Sequence, residues 1–242
     1  MSMPDLHAWL ETPLGRYLLD WERAGVERMV ADIFGYRAVQ IGMPGVDLLA
    51  ANRMPFRFAC ARVGPAAVLA HEFELPFTTA SLDLVLMPHV LEFSADPHSV
   101  LREVDRVLVA EGSVLLSGLN PLSLWGLRRM LARSEGVLPW CGQYRSAMRI
   151  KDWLTLLGFE VVGSEAGCYV PVASSATWLE RWRFMDRMGT RWWPLLGGAY
   201  LLHGVKRVQG MRLITPQWRG GKARAKRLST VAQRNGDTRK TQ

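Results

Sequence analysis

The sequence predicts an α/β fold on a mostly parallel sheet, and three observations within residues 68–118 carry that prediction. Residues 82–87 (LDLVLM) and 114–117 (VLLS) are short apolar runs bounded by turn or capping residues, as in strands buried on both faces. Between them, Asp96-Pro97 marks a helix start, because an aspartate accepts an orphan amide and proline is tolerated at the first helical position. Val100, Leu101, Val104, Val107 and Leu108 then recur at helical spacing, with Glu111-Gly112 as the expected helix end. Strand, amphipathic helix and strand in that order are the repeating unit of a parallel sheet.

The remaining elements follow in chain order. Leu10, Leu14, Leu18 and Trp21 fall three or four apart, so residues 6–31 read as a helix, broken near Pro13 and Gly15, with one apolar face for the sheet or its open end. Residues 38–41 (AVQI) form the first strand, and Gly42-Met43-Pro44-Gly45 the turn after it. Residues 56–61 and 66–70 supply the second and third strands. Residues 150–157 form a helix ended by Gly158, ahead of a sixth strand at 159–163. Trp178, Leu179, Trp182, Met185 and Met188 make an apolar stripe among Arg181, Arg183, Arg187 and Arg191. That stripe admits two readings: a helix packed on the sheet or over a cleft, or a surface lying on a membrane. Residues 199–207 read as the last strand.

Composition narrows the classes. With 49% apolar residues over 242 positions, the chain can bury a large core, which excludes a wholly disordered protein. Cys60, Cys141 and Cys168 are too widely spaced for a zinc site or disulfide framework, consistent with reduced thiols in a cytoplasmic protein. The N-terminal residues lack the basic patch and apolar core of a secretory signal. The most apolar run, 192–205, is shorter than the ~18 residues of a membrane span. Residues 209–242 carry nine basic side chains against Asp237 alone, a net +8 that accounts for the whole charge of the chain. Two domain assignments follow: 1–208 as the folded domain and 209–242 as a basic tail. That tail reads either as a solvated end or as a tether for nucleic acid or anionic lipid.

Several linked motifs now point to a family. Leu75-Pro76-Phe77, then Leu82-Asp83-Leu84-Val85, His89-Val90-Leu91-Glu92, Leu101-Arg102-Glu103, Arg106-Val107-Leu108 and Glu111-Gly112 together resemble the class I S-adenosylmethionine-dependent methyltransferases, most closely the branch acting on small molecules. The resemblance is strong over residues 36–118 and weaker to about Val208. It implies a Rossmann-like, seven-stranded, mostly parallel sheet with helices on both faces, S-adenosyl-L-methionine as cofactor, a small-molecule acceptor and no metal. It also implies substrate-side elaborations at 121–149 and 171–197, the first containing Trp125, Trp140, Tyr144, Arg128 and Arg145.

In the family, the cofactor's amino-acid end lies over the glycine-rich turn after the first strand, which leads into a helix. Here that turn comprises Ile41, Gly42, Met43 and Gly45, with Pro44 and Val46 where further glycines usually stand and Gln40 where an acid usually stands. The ribose-binding acid of the second strand has no counterpart, since residues 48–71 contain no carboxylate. Loss of such an acceptor costs about 1.5–3 kcal/mol of affinity unless another group substitutes. His71 stands where relatives use an aspartate on the adenine amino group, with Glu72 and Phe73 beside it. At the carboxyl edge of the fourth strand lie Met87 and His89, the latter the first candidate for a base or orienting group near the transferred methyl. Asn120-Pro121 fixes a turn after the fifth strand, with the Asn120 amide expected to face the cleft as the second candidate catalytic residue. Three activities fit this sequence: a small-molecule methyltransferase, a catalytically silent binding module of the same fold, and an RNA-directed enzyme using the basic tail.

Overall fold

A computed structural model describes residues 8–131, 141–172 and 175–208. Contacts divide the chain into Met1–Val208 and Gln209–Gln242; the second unit, with the basic tail, lies outside the described residues, as does Trp140. Seven strands form one sheet: β1 Arg37–Ile41, β2 Phe56–Ala61, β3 Val68–Leu69, β4 Leu82–Pro88, β5 Leu108–Leu119, β6 Phe159–Gly167 and β7 Ala199–Lys206. Their spatial order is β3-β2-β1-β4-β5-β7-β6. Strands β1 to β5 pair in parallel, while β7 runs antiparallel between β5 and β6. The order reverses between β1 and β4, the switch point beside which ligands of open α/β sheets bind. This is the Rossmann-like sheet the sequence predicted.

Both faces of the sheet are covered. Helix α1, Pro13–Val30, opens with Thr12, whose side chain accepts the Gly15 amide, and with proline in its first turn. Its face of Leu14, Leu18, Val26 and Val30 is buried. Toward its C-terminal end it packs with Leu84, Leu86, Leu115 and Leu201. The approach is close: a Cβ added to Gly25 would lie 2.3 Å from Leu201 Cδ1, and one on Gly167 would meet the Trp21 indole at 2.1 Å. Against the opposite face lie α3, Pro97–Val107, and α5, Ala147–Leu156, burying Val85, Met87, Val114, Leu116 and Leu202. Asp96 caps α3 by accepting from the His98 and Ser99 amides, as its sequence predicted.

Four expectations need correction. Helix α3 ends at Val107, not at Glu111-Gly112, because Leu108 turns extended and joins β5 opposite Leu82. Glu111 sits in that strand with φ 63°, where the β4–β5 register shifts. The implied helix after β1 does not form: residues 42–81 contain none. Pro44, Pro55, Pro65 and Pro76 divide this stretch into pieces of at most ten residues, which disfavours a long helix. Leu48, Leu49 and Met54 fill the space instead, and the Asn52 amide ties the segment to Val30 O and Ile33 O near the end of α1. The third strand shrinks to Val68–Leu69. Finally, the apolar stripe of 178–188 is two helices, α6 Ala176–Trp182 and α7 Phe184–Trp192, broken at Arg183. The remaining helices are α2, Val90–Phe93, and α4, Leu124–Leu131.

Candidate functional site

The carboxyl rim begins at the β1 turn, which Gln40 organises from beneath. Its buried amide donates to the carbonyls of Gly42, Met43 and Val46 and accepts from the Leu48 N–H. An acid here would have no proton to donate to those three carbonyls, so the departure from the family pattern matches the departure in the loop. Gly42 has φ 83°, a glycine conformation, and its N–H reaches Cys60 O at the end of β2. Gly64, φ 100°, lies so near Pro44 that an added Cβ would sit 2.9 Å from its ring. Ile41 and Met87 are core side chains and reach the rim through backbone alone; Met43 is also buried, against Leu10, while Gly45 is exposed.

Beyond β3, the exposed rings of His71 and Phe73 lie 5.2 Å apart, tilted by 30°. Glu72 between them is close enough to β2 for its charge to add to burial in pushing the Cys60 thiol up to about 11. A carboxylate from the β3 loop is thus brought into the field of the β2 tip, which lacks one of its own.

The most unusual cluster lies at the tip of β4. His89 begins α2 with φ 54° and is buried between two carboxylates. Its Nδ1 is 3.0 Å from Glu92 Oε2, and its Nε2 is 2.8 Å from Glu22 Oε1 on α1. Glu92 Oε1 also accepts the Leu119 N–H of β5. Glu22 is less well served. Its contact with His89 is a close ion pair, and its oxygens have no other partner among the described residues. Burial alone would lower the His89 pKa, but Glu22 and then Glu92 outweigh it and hold the imidazole well above its ordinary value. The cluster therefore sets one imidazole, held well above its ordinary pKa, between two carboxyl groups at full burial. Burial first, and Glu92 second, also raise the Tyr144 and Tyr200 pKa values, keeping both phenols protonated.

Sequence reading picked out His89 but not Glu22. The signal was present, because Glu22 interrupts the i, i+4 apolar series Leu14, Leu18, Val26, Val30 on the buried face of α1. Asn120 differs from expectation in its direction. Its amide donates to Leu195 O and Gly197 O at 2.7 and 3.0 Å, and its oxygen accepts the Leu122 N–H, fastening the β5 turn to the segment before β7. Trp125 is fully buried and donates to Val170 O, so it packs. Among the described residues no group of His, Cys, Asp and Glu could hold a metal ion, and no helix is long and apolar enough to cross a membrane.

Three features of this rim are compatible with a cationic nucleoside cofactor: an exposed ring pair at the β3 tip, a glycine-permissive turn at β1, and a buried carboxylate paired with His89 beside β4. Comparisons with known proteins bear on the domain and the fold. Residues 44–116 match the family described as a methyltransferase domain. The chain is 32% identical over 160 residues to the uncharacterized protein YafS of Escherichia coli (strain K12), a match covering 64% of this chain and 65% of that protein. Among solved structures, a chain of the Haloferax volcanii complex with the Trm112 methyltransferase activator superposes with a TM-score of 0.60 at 17% identity, over 85% of this chain and 97% of that one. A SAM-dependent methyltransferase from Archaeoglobus fulgidus gives 0.55 at 18%, over 77% and 94%.

Proposed function

We propose that this chain, which carries a methyltransferase domain on the fold of the class I S-adenosylmethionine-dependent methyltransferases, transfers a methyl group from that cofactor to a small-molecule acceptor. The observation that carries the reading is the buried cluster of Glu22, His89 and Glu92 at the switch-point rim, two carboxyl groups about one imidazole. A carboxylate held in the interior is costly, and its cost falls when a cation enters its field. The cofactor supplies, when bound, an electrophilic methyl on a sulfonium cation.

The roles of the chain's own residues follow from their positions. The turn of Ile41, Gly42, Met43 and Gly45 offers backbone groups to the amino-acid end, and Gly42 allows the close approach. His71 and Phe73 offer ring faces to the base, Glu72 an acceptor for the ribose, and Met87 a backbone boundary at the end of β4. His89 has both nitrogens engaged by carboxylates, so it holds a proton between them and acts as a positioning residue for Glu22 and Glu92. Asn120 positions the β5 turn through its backbone partners. With the imidazole engaged, methyl transfer relies on alignment of an acceptor that is already nucleophilic.

One observation favours the silent binding module instead: the turn after β1 leads into no helix, so the dipole that usually faces the cofactor's carboxylate is missing. Calorimetric titration with S-adenosylmethionine and with its neutral thioether product separates the two. The enzyme reading expects both to bind, the cation more tightly, and expects Glu22→Gln to erase the difference. Absence of binding at millimolar ligand would refute it.

A further inference from the structure

We propose that α6, α7 and residues 193–196 form a docking surface for an anionic lipid bilayer. The two helices turn only part of their apolar surface inward: Leu179 is buried, Trp182 packs half-buried on the core, and Met185 is partly covered. Gly189 is the point of attachment, since a Cβ there would lie 2.3 Å from the Tyr169 ring, and it brings the helix flush against the body. The other apolar side chains of the pair remain exposed. Phe184, Met188 and Trp192 recur at i, i+4 and i+8 and are 51%, 46% and 67% exposed. Trp178, Trp193 and Leu195 extend this surface, each at least half exposed. Soluble proteins rarely expose a contiguous apolar patch of this kind unless it meets something.

Charge identifies the occupant. Arg183, Arg187 and Arg191 form a second exposed stripe at the same spacing, and Arg181 joins them from α6. Of the two acids, Asp186 is turned inward to accept from Tyr17 Oη and the Tyr169 N–H, leaving Glu180 as the exposed one. Aromatic side chains beside a row of arginines suit the bilayer interface, where rings enter the acyl boundary and guanidinium groups pair with phosphates. A second copy of the chain is a poorer match, because this surface offers four exposed arginines only Glu180 as an exposed counter-charge. The surface adjoins the rim, because Leu195 O and Gly197 O hold the Asn120 amide at the end of β5. Docking would present that rim to the membrane.

The test uses the full chain with phosphatidylcholine vesicles, with and without phosphatidylglycerol, reading co-sedimentation and quenching of tryptophan fluorescence by brominated acyl chains. Wild type should bind and be quenched on the anionic vesicles. Trp192→Ser with Leu195→Ser should lose the quenching and cut partitioning by about tenfold or more. Arg187→Glu with Arg191→Glu should remove the phosphatidylglycerol dependence, with circular dichroism unchanged in both variants. Neutralising Lys222, Arg224, Lys226 and Arg227 to Gln should leave the quenching in place. The proposal is overturned if wild type is unquenched on both vesicle types, if the tail variant alone loses binding, or if wild type elutes as an oligomer that Trp192→Ser disperses. None of these readouts depends on methyl transfer.

Discussion

Replacing each carboxylate of the buried cluster by its amide should produce two different stability losses. Glu92 supports His89 Nδ1 and also receives the Leu119 N–H, so Glu92→Gln retains an acceptor but sets an amide against the imidazolium. It leaves His89 with Glu22 as its one carboxylate partner. Removing one member of a buried ion pair costs about 3–5 kcal/mol. At 2–4 °C of Tm per kcal/mol for a domain of this size, the lower bound corresponds to a fall of about 6–12 °C. Glu22→Gln should cost less, because the imidazole loses its Nε2 partner while Glu92 keeps both His89 Nδ1 and the Leu119 N–H. Its expected cost is about 1–3 kcal/mol. Urea unfolding of the three proteins at neutral pH measures this. Equal losses for the two variants, or a larger loss for Glu22→Gln, would refute the claim that Glu92 anchors the cluster through its second contact with Leu119.

The other predictions concern the same framework. Because His89 is held above its ordinary pKa, its stabilising contribution is complete below about pH 6.5 and is lost as pH rises through the higher folded value. The Tm difference between wild type and His89→Gln should therefore shrink on the alkaline side and not on the acid side. Gln40→Glu should destabilise by at least about 2–3 kcal/mol and weaken cofactor binding, since it sets a carboxylate against three carbonyls in a buried turn; denaturation and calorimetry together check both effects. Gly25→Ala, which would add about 1 kcal/mol of helix propensity at an open site, should instead cost about 1–3 kcal/mol, because its methyl overlaps the fully buried Leu201. Asn120→Ala should lower stability by about 2 kcal/mol in thermal unfolding through loss of the two carbonyl contacts.

Local signals in the chain were enough to locate the sheet. Apolar runs of strand length marked β1, β2, β4 and β7, and Asp96-Pro97 marked the start of α3, because burial and capping depend on residues within one or two turns. The same reasoning overran α3 to Gly112, since pairing of Leu108 with Leu82 is a contact between distant segments that periodicity does not contain. It also missed that the β1 turn is followed by no helix, its place being filled by Leu48, Leu49 and Met54 packed on α1 and the sheet. Histidine at the tip of β4 was visible as a candidate by its position alone. What it does was decided by tertiary structure, because Glu22 lies 67 residues upstream and meets His89 only when α1 packs across the sheet through Gly25 and the Gly167–Trp21 contact. Sequence by itself determined where most strands lie along the chain and that they build an α/β sheet. Only packing determined which charges share the carboxyl rim unsolvated, since burial and charge balance arise from groups brought together by folding.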